Sequence, residues 1–139
     1  MLLKIENLFV RLCTINAFIA TMGGGAFLCR YLGVATRLAQ YQRRVAGLLN
    51  DPHLSLHCTI NESYNYIHMG RYEEALAVIR TVIRDGKAGG DDKILAVARA
   101  ARLFCKRARN AASKFQLGME HENIKGDELY RLRTGAREL

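Results

Sequence analysis

The fold is decided by residues 63–76, which read SYNYIHMGRYEEAL. Gly70 stands between two runs of helical character, and a glycine can adopt the left-handed backbone conformation of a tight turn without strain. Beyond it, Ala75, Ile79 and Val82 follow one another at steps of four and three, which is the spacing of one helix face. The stretch therefore predicts two helices that reverse direction at Gly70 and pack as an antiparallel hairpin.

Similar breaks divide the rest of the chain. No segment alternates strictly between apolar and polar residues, as a half-buried strand would. We therefore predict an all-α protein of stacked antiparallel helical hairpins, folded as a single helical-repeat domain over residues 1–139. The first helix is expected to stop at three consecutive glycines, 23–25, and the fifth to begin at an N-cap, Asp91 or Asp92. Helices are predicted at residues 3–22, 26–49, 54–69, 72–84, 92–117 and 126–137, with a glycine-rich connection over 85–91.

The hairpin around Gly70 resembles a tetratricopeptide repeat (TPR). That family places a small residue, an aromatic residue, a glycine, a tyrosine and an alanine in this order across a helical hairpin. The corresponding residues here are Ser63, Tyr66, Gly70, Tyr72 and Ala75. The resemblance covers one repeat, residues 63–82, and it implies a TPR-like α-solenoid in which the second tyrosine fills the wedge between the helices. The sequence departs from the family at Thr59 and Glu62, where a large aromatic residue and a leucine are usual.

A second resemblance concerns two short segments about seventy residues apart. Residues 27–31, FLCRY, and residues 100–104, AARLF, are similar to the early part of the family of the forty-kilodalton huntingtin-associated protein. Members of that family are irregular helical-repeat scaffolds that dock against huntingtin, and they are considerably longer than this chain. The resemblance implies a short relative or a fragment with a scaffold role.

The chain has 21 Lys and Arg residues against 13 Asp and Glu residues, which gives a formal charge of +8. Like charges on one helix face repel one another with no internal gain. A stripe of one sign therefore indicates either a solvated face or the contact surface for an acidic partner. The residues predicted to bind the partner are Arg99, Arg102, Lys106 and Arg109, at steps of three, four and three on the fifth helix, and Arg30, Arg37 and Arg44, seven apart on the second.

The first predicted helix is apolar around much of its circumference. Its uncharged run between Arg11 and Arg30 is slightly shorter than the ~20 residues of a spanning helix and contains three glycines, so no membrane span is predicted. A helix of this kind is buried by something, and a partner chain or self-association would bury it. Because Glu6 is the only acidic residue before Asp51, a mitochondrial presequence is the alternative for this segment.

No catalytic residues, cofactor or metal site are predicted. His53 and His57 are four residues apart beside Cys58, but no further ligand is placed to complete a metal site. The glycines at 23–25 are not followed by the Lys-Ser or Lys-Thr pair of a phosphate-binding loop. Four widely spread cysteines without a CxxC pair indicate reduced thiols and a cytoplasmic protein, with a nuclear or mitochondrial location left open.

We therefore predict an adaptor or scaffold subunit of a larger complex and not an enzyme. It is expected to bind through the basic helix face and an apolar patch left open at one end of the stack. The expected partner is a protein with an acidic surface, or a second copy of the chain. The alternative is an RNA-binding helical module that uses the same basic helices; against it, the basic stretches lack the interleaved aromatic residues that stack on bases.

Overall fold

The structure is a computed structural model that describes the backbone of residues 1–135 and the side chains of residues 1–120. All regular secondary structure in the described backbone is α-helical, which confirms the predicted all-α class. Five helices follow one another along the chain: α1 (Leu2–Leu28), α2 (Leu32–Leu48), α3 (Pro52–His68), α4 (Tyr72–Ala88) and α5 (Asp92–Gly135). Helix α2 packs against α1 and α3, and α3 packs against α4.

The four turns between these helices repeat every 20 residues. In each turn the residue after the positive-φ position donates its backbone N–H to the carbonyl five residues earlier, as in a Schellman motif. The positive-φ residues are Arg30, Asn50, Gly70 and Gly90. A unit of two helices therefore spans 40 residues, from Arg30 to Gly70, against 34 in a TPR. The TPR-like arrangement stays a prediction.

Burial repeats with the same 40-residue spacing. The buried residues of α2 and those of α4 occupy positions that differ by 40, so the two helices present equivalent faces to their neighbours. These residues are Ala35, Thr36, Ala39, Gln42 and Ala46 on α2, and Ala75, Leu76, Ile79, Val82 and Gly86 on α4. Two of the five positions are polar in α2, at Thr36 and Gln42, where α4 has Leu76 and Val82. The core is therefore more polar around α2 than around α4.

The three consecutive glycines lie inside α1, so the predicted helix break at residues 23–25 is wrong. Each glycine costs about 1 kcal/mol in a helix interior, a cost that packing against another helix can offset. A Cβ added at Gly23 would lie 3.7 Å from the Cβ of Leu38, which shows that α1 and α2 approach closely at this point. The chain turns instead after Leu28, where Arg30 takes the left-handed conformation.

Two predicted boundaries also change at the other end of the chain. The connection predicted over 85–91 is shorter, because α4 continues to Ala88. Of the two predicted N-caps of α5, the cap is Asp91, since its Oδ1 accepts a hydrogen bond from the backbone N–H of Ile94 at 3.0 Å. The separate helix predicted at 126–137 is wrong over the described backbone, because α5 runs unbroken to Gly135. Residues 136–137 of that prediction lie outside the described residues.

The chain divides into two compact units, Met1–Lys106 and Arg107–Leu139. The first contains α1 to α4 and the beginning of α5, and its core includes Ile60, Ile79 and Ile94, each at most 1% exposed. Burying one such side chain contributes about 1.5–3 kcal/mol. The second unit contains the rest of α5. The prediction of a single domain over the whole chain stays a prediction.

Candidate functional site

The five repeat-signature residues surround the turn at Gly70 and take part in helix packing. Ser63 and Ala75 are fully buried, and the hydroxyl of Ser63 donates to the carbonyl of Ile60 at 2.7 Å. Tyr72 is half-buried, and its backbone carbonyl accepts a hydrogen bond from the Sγ of Cys105 at 3.6 Å, which links the start of α4 to α5. These side chains and backbone groups serve the fold.

A buried carboxylate, Glu62, joins α2 to α3. Its Oε1 accepts hydrogen bonds from Gln40 Nε2 at 2.8 Å and from the Tyr66 hydroxyl at 2.9 Å, and its Oε2 lies 3.2 Å from Arg43 Nη1. Burial and the hydrogen bond to Glu62 both raise the pKa of Tyr66. Because every oxygen of this carboxylate has a partner, Glu62 is a structural group. The network explains how a charged residue is accommodated between α2 and α3.

Helix α1 carries more exposed large apolar side chains than any other helix of the first unit. No residue of this 27-residue helix is buried. The hydroxyls of Thr14 and Thr21 donate to the carbonyls of Val10 and Ala17 at 2.9 Å, so neither hydroxyl needs water. Ten large apolar side chains of α1, here named the α1 face, are 45–84% exposed: Leu2, Leu3, Ile5, Leu8, Phe9, Val10, Ile15, Phe18, Met22 and Leu28.

The same helix is long and apolar enough to cross a membrane by length and composition. Its best 18-residue window has a mean hydropathy of 1.3, and none of that window is buried. A signal sequence or a helix that a partner covers has the same properties. The absence of a membrane span, expected from the sequence, therefore stays a prediction.

Three of the four residues in the predicted basic stripe of α5 lie on the surface of the first unit. Arg99, Arg102 and Lys106 are exposed, and none has an ion-pair partner among the residues that the structure describes. Arg109 belongs to the second unit, is half-buried and interacts with another residue. We name the first three residues the α5 basic stripe.

The second predicted basic stripe, on α2, is wrong in one of its three residues. Arg30 precedes α2 and lies in the turn, where its φ of 65° places it outside the helical register that the seven-residue spacing assumed. Its Nη1 lies 3.1 Å from Nδ1 of His68. Arg37 and Arg44 are exposed on α2, and the guanidinium of Arg44 lies 5.5 Å from the centre of the Tyr41 ring. Only these last two residues share a face of α2.

A groove of about 720 Å³ runs between α1 and α3, with α2 as its floor, and sequence reasoning missed it. Helix α1 contributes the small residues Ala20, Gly23 and Gly24, which leave space for the groove. At one end the ring of Phe27 meets the ring of His68 edge-on, with centroids 5.0 Å apart. The ring of Phe104, from α5, lies 5.9 Å from that of His68. We name this feature the α1–α3 groove.

Three primary amides line the α1–α3 groove: Gln42 on α2, and Asn61 and Asn65 on α3. Asn61 is exposed, whereas Gln42 and Asn65 are only 8% and 3% exposed, and neither of these two side chains has a hydrogen-bond partner among the described residues. His68 borders the same groove, and burial together with the guanidinium of Arg30 lowers its pKa. The neutral imidazole then accepts the Arg30 hydrogen bond at Nδ1 and keeps a donor at Nε2. The groove therefore combines aromatic walls with uncharged polar groups.

Among the described residues, no group of three or more His, Cys, Asp or Glu side chains could hold a metal ion. The rings of His53 and His57 at the start of α3 have centroids 6.4 Å apart, and Nδ1 of His53 pairs with Oδ2 of Asp91 at 2.5 Å. The neighbouring thiol of Cys58 is buried, and burial raises its pKa to about 11. This pKa keeps the thiol protonated at neutral pH, which makes it a poor nucleophile and a poor metal ligand.

No protein-family model matches the chain, and no curated protein or solved structure is significantly similar to it. The two family resemblances in the sequence therefore stay predictions. Three features of the first unit can contact a partner: the α1 face, the α5 basic stripe and the α1–α3 groove.

Proposed function

We propose that this chain is a protein–protein interaction adaptor, a scaffold subunit that holds a partner protein on the α1 face. The observation that carries the proposal is a 27-residue helix with ten exposed large apolar side chains and no buried residue. Each Å² of such surface removed from water contributes about 25 cal/mol. Exposed apolar surface on this scale is typical of a helix that binds a protein or a membrane.

The packing of α1 favours a protein over a membrane as its partner. The last third of α1 belongs to the helical stack, since Gly23 lies against Leu38 and Phe27 against His68. A spanning α1 would draw the adjoining α2 towards the hydrocarbon, and α2 exposes Arg37 and Arg44. Arginine in the bilayer centre is costly.

The charge of the chain favours an acidic partner surface. The formal charge is +8, and the three residues of the α5 basic stripe have no ion-pair partner among the described residues. Such peripheral charges contribute more to the rate of association than to affinity. In this proposal the α1 face supplies the affinity and the basic stripe attracts the partner.

The test places a photo-crosslinking amino acid at Phe9, on the α1 face, and in a matched chain at Tyr41, on α2. Both are aromatic residues of similar exposure, 55% and 53%. We expect a protein to crosslink at Phe9 and not at Tyr41, and Phe9→Asp to weaken the purified complex at least tenfold. Charge reversal at Arg102 and Lys106 should slow association.

The other occupants give different results in the same experiment. A crosslinked second copy, together with a dimer in sedimentation velocity, would identify self-association as the interaction. Equal crosslinking at both positions, or partitioning into vesicles through α1, would contradict the proposal. Binding of RNA with a salt dependence of several units, lost on charge reversal, would support the RNA-binding alternative instead.

A further inference from the structure

We propose that the α1–α3 groove is a second binding site, separate from the α1 face, for a short uncharged segment of extended peptide. The amides of Gln42 and Asn65 line this groove, are more than nine-tenths buried and have no hydrogen-bond partner among the described residues. Their polar atoms still reach the water in the groove, because Asn16 Oδ1 is the one fully buried side-chain polar atom without a partner among the described residues. A ligand that enters the groove must therefore supply hydrogen bonds in place of that water. Each amide both donates and accepts, and a peptide group offers one acceptor and one donor in return.

The rest of the groove indicates what the side chains of the peptide should be. Four rings cluster around its aromatic end, those of Phe27, Tyr64, His68 and Phe104, with successive centroids 5.0 to 5.9 Å apart. Rings at these distances form a surface on which a large apolar side chain can pack. None of the described residues that line the groove is Asp, Glu, Lys or Arg, so a charged ligand group entering it would lose water without gaining an ion pair from them.

The dimensions fit an extended segment of about seven residues. The groove follows α3 from His53 to His68, fifteen residues along a helix, which is about 22 Å at 1.5 Å per residue. An extended chain covers that length with about seven residues at 3.3 Å each. The groove volume of about 720 Å³ lies within the range of ligand-binding clefts. Single-stranded RNA fits less well, because the described lining residues include no Lys or Arg to offset its phosphates.

The experiment selects random heptapeptides displayed on phage against the full chain and measures one selected peptide, labelled with fluorescein, by anisotropy. We expect apolar sequences with few charged residues. Asn65→Leu, which keeps the branching of the side-chain heavy atoms and removes the amide, should weaken binding at least tenfold. The matched control is Asn110→Leu, the same change at an exposed position of α5, which should leave affinity within twofold.

A second measurement needs no protein variant. Methylating one central backbone nitrogen of the selected peptide should also weaken its binding to the unaltered chain at least tenfold, because the proposal requires main-chain hydrogen bonds. The proposal is overturned if no heptapeptide binds below about 100 μM. It is equally overturned if binding tolerates methylation at every position, or if a uridine heptamer binds and the peptides do not. Neither result bears on the α1 face, so the two proposals fail independently.

Discussion

Replacing Gly25 by alanine tests whether the glycine triplet is helical. Gly25 lies inside α1, and a Cβ built on it meets nothing within 4 Å. Alanine is favoured over glycine by about 1 kcal/mol in a helix interior, because glycine loses more backbone freedom on folding. With no steric term to subtract, we expect Gly25→Ala to raise the free energy of unfolding by about 1 kcal/mol.

Urea denaturation followed by circular dichroism measures this change. For a unit of this size a gain of 1 kcal/mol moves the midpoint up by about 0.5 M at an m-value near 2 kcal/mol/M. The same gain raises the melting temperature by roughly 4 °C. A lower midpoint would refute the reasoning, because it would place Gly25 in a turn that requires glycine and end α1 near residue 22.

Gly86→Ala is the matched control in α4, where the same substitution meets side chains. Its added Cβ would lie 2.7 Å from Cγ2 of Ile94 and 3.3 Å from Cδ2 of Leu95. Overpacking of this kind costs about 1–3 kcal/mol, which exceeds the helix-propensity gain of about 1 kcal/mol. We therefore expect Gly86→Ala to be destabilising by up to about 2 kcal/mol. Stabilisation by both substitutions would contradict the close packing of α5 on α4.

Three further predictions concern a turn, a cap and the thiols. Arg30→Gly should raise the melting temperature, since it removes left-handed strain of about 1 kcal/mol; a lower value would show that the side chain contributes more than the strain costs. The hydrogen bond from the backbone N–H of Ile94 is the main cause of the lowered pKa of Asp91. The stabilisation from Asp91 is therefore fully present above the ordinary pKa of an aspartate, and it is lost as the pH falls through the lowered pKa of the folded protein. We expect Asp91→Asn to make the free energy of unfolding depend less on pH in the acidic range. Alkylation followed by mass spectrometry should modify exposed Cys13 in the folded protein and Cys58, with its pKa of about 11, only after unfolding; equal rates would contradict the burial.

The helices and turns that sequence analysis located correctly are those with strong local signals. The reversal at Gly70 was predictable because a glycine stands between two helical runs. The structure confirms that this glycine has a positive φ of 77°. The start of α5 at Asp91 was predictable because an aspartate side chain accepts the backbone N–H three residues on. Both signals act within a few residues and need no tertiary contact.

The turn before α2 was predicted at the wrong residues because the local signal, three consecutive glycines, does not coincide with the turn. Three glycines disfavour a helix by about 1 kcal/mol each, yet α1 passes through them and packs Gly23 against Leu38. The actual turn uses Arg30, a residue type with no preference for positive φ. The other three turns use Asn50, Gly70 and Gly90, residue types that favour positive φ, so the 20-residue spacing is hidden in the sequence only at Arg30.

In the candidate site, too, the sequence shows which residues are polar, but only the structure shows which of them are buried. In the sequence Gln42 and Asn65 are polar residues 23 positions apart, with nothing to indicate that both are buried in one groove. Glu62 likewise reads as a surface carboxylate, but Gln40 and Arg43 bond to it inside the structure. Whether a polar side chain is solvated, paired or left unpaired depends on neighbours from other helices.

The amino-acid sequence by itself determined the all-α class, the reversal at Gly70, an aspartate cap at residue 91 or 92 and the excess of positive charge, because spacing, capping and ionisation are local properties. Only the tertiary structure decided that α1 continues past its glycines, that its apolar side chains stay exposed and that two buried amides share one groove. These outcomes depend on which helices pack together, and burial is a property of the packed helices and not of any one segment.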